Sequence, residues 1–222
     1  MVGASRTSID NWLRRFEQEG AGGLQARQRG RPPISGRQPS ALLKVRTSIL
    51  SSAPKERGLW TADRVQRLLS FTLGVDISRW TVRRYLMDWG LAPPRPLAGL
   101  EARAPSLVQS WFAHEYAPLK ARARRNGGVV VFFESTNVES VEERRRIYWI
   151  VGTRGEWAFL ADRGQQPDAK GVLQFLNRVK QQFAGPLVLV TSRASSVTGR
   201  EIKRWLDANA RRLSLHPVTG PR

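Results

Sequence analysis

From Ser78 to Trp89 the chain reads Ser-Arg-Trp-Thr-Val-Arg-Arg-Tyr-Leu-Met-Asp-Trp, and its chemistry divides by face. Ser78 is a helix-capping residue type, and Val82, Tyr85, Leu86 and Trp89 fall at core-facing spacing. Arg79, Trp80, Thr81, Arg83 and Arg84 are left facing outward. Arginine forks donate in pairs to guanine edges and to phosphates, so this outward set suits the major groove of double-stranded DNA. A second segment, Ser5 to Glu19, places Ile9, Trp12, Leu13 and Phe16 on one helical stripe and leaves Arg6, Thr7, Asn11 and Arg14 on other faces. Between the two lies Gly30-Arg31-Pro32-Pro33, preceded by Arg29. It reads either as a plain linker or as an arm for an A·T-rich minor groove, where negative potential concentrates around an inserted Arg.

Charge points the same way. The 222 residues carry 37 Lys plus Arg against 18 Asp plus Glu, a net charge of +19, so the chain is drawn to phosphate. Hydrophobic residues make up 41% and include eight Trp, enough to build cores in one or two domains, which excludes a disordered basic tail. With no cysteine there is no disulfide and no cysteine-ligated zinc site, and a reducing compartment is expected. The longest apolar run, Val129 to Phe133, is far short of the ~20 residues that span a bilayer. The N-terminus lacks an apolar signal core. The expectation is a soluble, cytoplasmic or nucleoid-associated protein with no membrane partner.

Other chemistries find little support. His114 and His216 lie far apart in sequence without Cys or close His companions, so no metal role is expected for them. Asp162 and Asp168 read as solvated loop carboxylates. Ser195 and Ser196 lack a His or Asp pattern to activate them. No glycine loop leads into a helix through Lys-Ser or Lys-Thr, which excludes the phosphate cradle of nucleotide hydrolases.

The elements that must position these residues fall into an α+β, two-domain order. Residues 1–26 read as a partial helix-turn-helix, 27–40 as a Gly-Arg-Pro linker, and 41–92 as a complete second helix-turn-helix of winged-helix-like size. In that second unit Leu42 to Ser51 forms the first helix, and Thr61 caps another carrying Val65, Leu68 and Leu69. Leu73-Gly74-Val75-Asp76-Ile77 makes the turn. Prolines and small residues over 93–105 mark a further linker. Residues 106–222 then change character: a helix to about Arg125, strands at 129–133, 146–152 and 156–161, a helix over 168–183, a strand at 186–190, a helix over 198–210, and a last strand at 213–216. Thr153-Arg154-Gly155 suggests a hairpin. Three antiparallel strands followed by helix, strand, helix and strand describe a ribonuclease H-like α/β domain.

In this order the stretches Ser5 to Gly20, Gly30 to Pro33, Trp60 to Leu91, Glu115 to Lys120, Val129 to Asn137 and Pro186 to Leu206 resemble the bacterial insertion-sequence branch of the mariner superfamily of cut-and-paste transposases. The resemblance implies two helix-turn-helix subdomains, a homodimer, and a ribonuclease H-like domain whose three acids hold divalent cations roughly 4 Å apart around a scissile phosphate. Glu134 stands where the first Asp is expected. Ser192 stands at the second position, followed by Arg193. The third acid should lie on a helix beyond the final strand, which the chain ends before reaching. By this resemblance the ribonuclease H-like domain is incomplete at its C-terminus and the first helix-turn-helix incomplete at its N-terminus.

The sequence therefore predicts a transposase-derived DNA-binding protein with no catalytic metal site and no cofactor. Two alternatives stay open. One is an active Mg²⁺-dependent transposase or nuclease built on Glu134 and unrecognised acids, or completed by a separate chain. The other is a dimerisation or assembly subunit with non-specific DNA affinity.

Overall fold

The structure, a computed structural model, describes residues 5–25, 39–54, 58–139, 144–162, 169–192 and 199–218. Two compact units divide the chain, Met1–Arg37 and Gln38–Arg222. In the first, α1 spans Arg6–Glu19, with the Ser5 hydroxyl accepting the Ser8 N–H as its N-cap. Gly20, at φ 63°, ends it, and a 3₁₀ turn over Gly20–Leu24 folds back so that Arg15 donates to the Gln25 carbonyl. Gly23 is required there, because a Cβ would lie 2.3 Å from the Arg15 carbonyl oxygen. The expected stripe of Ile9, Trp12, Leu13 and Phe16 forms, but no residue of α1 is buried.

The second unit is built on a six-stranded mixed sheet. Its strands are β1 (Trp60–Thr61), β2 (Val129–Glu139), β3 (Arg144–Val151), β4 (Trp157–Asp162), β5 (Leu187–Thr191) and β6 (Leu213–Pro217). They lie in the order β1-β4-β3-β2-β5-β6. β3 lies between β2 and β4 and runs antiparallel to both, with Phe132 opposite Val151 and Trp149 opposite Phe159. β5 runs parallel to β2, and β6 parallel to β5. The strands are rich in Val, Ile and aromatic residues because helices cover both faces. On one face α8 (Ala169–Gln182) and α9 (Arg200–Ala208) bury Val172, Phe175, Val179 and Ile202 against Val131, Phe133, Tyr148 and Leu189. On the other, α6 (Pro105–Trp111) and α7 (Ala117–Arg125) pack Val108, Trp111 and Leu119 on Phe132 and Val190.

Two local features depart from the expected helix and linker. The predicted helix to Arg125 is interrupted by a π-helical turn over Phe112–Tyr116. It sits just before Pro118, whose ring has no N–H for the His114 carbonyl and crowds it, so the helix widens by one residue. The proline-rich segment before α6 is also packed: it carries a short helix α5 (Ala98–Glu101), and Leu97 is buried at φ 58°.

The helix-turn-helix belongs to the same compact unit. It consists of α2 (Pro39–Ser51), α3 (Ala62–Leu73) and α4 (Arg79–Asp88). Three devices join it to the sheet. β1 pairs with β4, Trp60 opposite Phe159. Leu59, fully buried, enters the sheet core, and its N–H donates to the Gln182 side-chain carbonyl at 3.0 Å. Arg178 of α8 donates to the Gly58 carbonyl at 3.1 Å. Replacing Leu59 by Ala should therefore cost about 2–5 kcal/mol and lower a single shared transition of helices and sheet. Chemical denaturation followed by tryptophan fluorescence and by far-UV dichroism checks this; non-coincident transitions would show that the two parts fold separately.

Candidate nucleic-acid interface

The outward face of α4 is assembled by contacts that leave most of its cations available. Thr61 caps α3 by accepting the Arg64 N–H, and Gly74 ends that helix in the left-handed conformation at φ 65°. The following turn is clamped at Ile77, whose N–H donates to the Ser70 hydroxyl and whose carbonyl accepts from the Gln66 amide. Ser78 then caps α4, accepting the Thr81 N–H at 3.2 Å, with its hydroxyl 3.0 Å from that of Thr81. Val82, Tyr85 and Leu86 are buried as the periodicity predicts, and Tyr85 stacks on Trp89.

On the other side, Arg79, Trp80 and Arg83 are exposed, Trp80 to 68%. Arg84 is half-buried and lies over the Trp80 and Tyr85 rings, 5.2 and 5.8 Å from their centroids. This cation–π stack orders a large apolar side chain that would otherwise be costly to expose alone. Arg79 pairs with Asp63 of α3 at 2.9 Å, both side chains largely in water. An exposed pair of this kind is worth about 0–1 kcal/mol, so a phosphate can displace the carboxylate. Thr81 is the exception among the predicted residues, because its hydroxyl is already engaged by the cap. Phe71 in the last turn of α3, 89% exposed, and Val75 in the turn that follows are further exposed apolar side chains, which the sequence pattern had not assigned to the interface. Loss of periodicity at those two positions was the only available signal.

In α1, Arg6, Thr7, Asn11 and Arg14 are all exposed. Arg29 and Arg31 of the Gly-Arg-Pro segment lie outside the described residues, as do Asp168, Arg193, Ser195 and Ser196.

The positions expected to carry acids are brought together by the sheet. Phe133 pairs with Thr191, so Glu134 on β2 and Ser192, just past the end of β5, each follow a residue of that last parallel pair. Glu134 has another task there: its Oε1 accepts the Leu97 N–H at 2.7 Å, holding the left-handed residue that starts α5. Asp162 lies two strands away, opposite Arg146 on β3. Among the described residues, no three His, Asp or Glu side chains gather into a cation-binding group. One oxygen of the Glu134 carboxylate is thus engaged by a backbone N–H.

His114 and His216, distant in sequence, line one recess of about 390 Å³ with Glu115, Arg122 and Arg125. The His114 Nδ1 is 2.9 Å from the Ser110 carbonyl oxygen. Burial, and then the Arg122 guanidinium, hold His216 below its ordinary pKa.

Residues 8–86 match a family described as a homeodomain-like domain, a stretch running from α1 to α4. No curated protein sequence matches the chain. Two solved structures are similar at 12% identity. The Mos1 transposase paired-end complex with left transposon end has a TM-score of 0.31, with 97% of this chain and 68% of that chain covered. The Mos1 strand transfer complex has a TM-score of 0.34, with 99% and 68% covered. Among the described residues no helix is long and apolar enough to cross a membrane.

Two outcomes follow. Glu134→Ala should destabilise the fold by about 1–3 kcal/mol by orphaning the buried Leu97 N–H, while Glu134→Gln, which keeps an acceptor oxygen, should cost less; equal losses in urea titrations would remove the capping role. His216 binds its proton less readily folded than unfolded, so its contribution to stability is complete above about pH 6.5 and is lost as pH falls. His216→Gln should therefore flatten the decline of Tm below that pH, and an unchanged decline would contradict the assigned cause.

Proposed function

We propose that this chain is a transposase-derived protein that binds double-stranded DNA through α4 and does not cut it. The observation that carries this reading is the face of exposed Arg79, Trp80 and Arg83, with half-buried Arg84 stacked on Trp80, on a capped helix-turn-helix in a chain of net charge +19. The homeodomain-like match over residues 8–86 supports it. Arg83 and Arg84 would reach base edges, the N-terminal turn of α4 and Arg79 would hold phosphates, and Arg31 would enter the minor groove. Arg6, Thr7, Asn11 and Arg14 of α1 would supply a second set of contacts.

The strand arrangement supports a ribonuclease H-like origin for the sheet: three antiparallel strands continued by two parallel ones, with helices on both faces. Catalytic silence is supported by the donor set, because Glu134 caps the Leu97 backbone and Ser192 offers only a hydroxyl. Two copies would bind together, since β6 is an edge strand among the described residues and an edge strand can pair with another chain. In a bacterial cell such a protein would associate with the nucleoid.

The test is selection of bound duplexes from a random pool at near-physiological salt, where purely electrostatic binding loses most of its strength. An enriched motif, paired or inverted for a dimer, is expected. Arg83→Ala with Arg84→Ala should weaken binding to that motif by about tenfold to a thousandfold, well beyond the effect of Arg124→Ala with Arg125→Ala. No enriched motif, or equal losses for the two pairs, would overturn the assignment of α4 as the reading helix.

A further inference from the structure

The sheet has a notch. β2 begins at Val129, yet its antiparallel partner β3 ends at Val151, opposite Phe132, so Val129, Val130 and Val131 have no β3 residue beside them. Val129 donates its N–H to the Pro186 carbonyl on the β5 side at 3.0 Å. Backbone groups alternate along a strand, which turns the Val130 N–H and C=O toward the vacated side. The chain leaves the sheet there because Gly155, at φ 84°, closes the β3–β4 turn and swings Thr153 and Arg154 outward.

A cavity of about 660 Å³ fills this notch, within the size range of small-molecule sites. Its floor is apolar, from Val129, Val131, Ile150 and Ala158, and Val129 is 49% exposed, unusual for a residue heading a central strand. Three aromatic side chains, Tyr116, Trp157 and Phe183, stand around it. Lys120 and Arg124 of α7 and Arg154 of the turn form a basic rim, with Lys120 5.6 Å from the Tyr116 ring centroid. Among the described residues none of these three cations makes a salt bridge. The one carboxylate in the lining, Glu156, accepts the Arg154 N–H at 3.0 Å and is tied to the turn.

We propose that this notch binds a single unstacked nucleotide: the base enters between the aromatic walls and meets the Val130 peptide groups, and Lys120, Arg124 and Arg154 hold its phosphate. The parts match the ligand's chemistry one for one. Aromatic faces stack any base, a strand edge offers one donor and one acceptor to its polar edge, and the cations answer the phosphate. An added peptide strand fits less well, because only three residues of edge are open and the rim selects for negative charge. The proposal rests on the DNA-binding reading, and the nucleotide would come from a single-stranded end or an extruded base of the bound DNA.

The experiment uses the full chain, isotope-labelled, titrated with deoxyadenosine monophosphate while the amides of Val130 and Thr153 and the Trp157 indole are followed by NMR. Binding of a blunt duplex, and of the same duplex with a 2-aminopurine in a single-stranded 3′ extension, is measured beside it. The expected result is saturable shifts at the notch, and stronger binding of the extended duplex accompanied by quenching of the 2-aminopurine. Arg124→Ala with Arg154→Ala should weaken nucleotide binding about tenfold. Val129→Trp, which fills a half-exposed position, should abolish it while leaving amide shifts elsewhere unchanged. Shifts that are absent, that inorganic phosphate reproduces equally, that only an acidic peptide produces, or that survive both variants would overturn the proposal. Blunt-duplex binding separates the two readings: its absence with saturable nucleotide shifts retains the notch and removes α4 as a reader, whereas the reverse removes the notch alone.

Discussion

The pairing of β1 with β4 is the constraint on which the rest of the second unit depends. Two residues of ladder would not persist alone, but Trp60 and Thr61 are flanked by stronger anchors. Leu59 is fully buried in the sheet core, and the Trp60 indole N–H donates to the Ser52 carbonyl at 3.0 Å. Thr61 serves both as the last strand residue and as the N-cap of α3, so the end of the ladder is the start of the helix. Arg64, one turn into α3, reaches back to the Leu59 carbonyl at 2.7 Å. Helix α4, packed on α3, therefore belongs to the same compact unit as the sheet.

The helix-turn-helix is held mainly by forces that do not consume its charge. Its core is Leu, Val, Ile and Tyr, and its turns are fixed by Ser70, Gln66, Thr61 and Ser78 hydrogen bonds to the backbone. Arg79 makes an exposed pair with Asp63, and Arg84 is arranged by aromatic rings, a contact that leaves guanidinium N–H groups free to donate. Stability from burial and capping, with electrostatics in reserve, is the division expected of a surface whose partner brings the opposite charge.

Glu134 illustrates how one residue type can be redirected by its neighbours. It follows Phe133, the last β2 residue paired with β5. The chain brings Leu97 over it in a left-handed conformation, and the carboxylate satisfies a buried N–H. Burying a backbone donor unpaired would cost about 1–3 kcal/mol, so the interaction ties the proline-rich segment to the sheet.

Periodicity and capping residues made the elements legible. The stripes of α3, α4 and α8, the apolar strand runs at 129–133 and 186–190, and the Ser78 cap follow from local sequence, because helix and strand repeats place their buried faces at fixed spacing; the α1 stripe forms but stays exposed. The outward set on α4 was legible for the same reason. Four features were not: the two-residue β1, the π-turn before Pro118, the helix within the proline-rich segment, and the notch beside Val130. Three of these depend on where a distant segment stops or starts, such as β3 ending at Val151 or Leu97 arriving at Glu134, and the π-turn follows from Pro118. The sequence by itself determined which residues prefer helix, strand or surface and how strongly the chain attracts phosphate. Only the tertiary structure decided which backbone groups go without a neighbouring strand and which side chains meet across the chain, because those outcomes follow from chain-distant packing that no local repeat encodes.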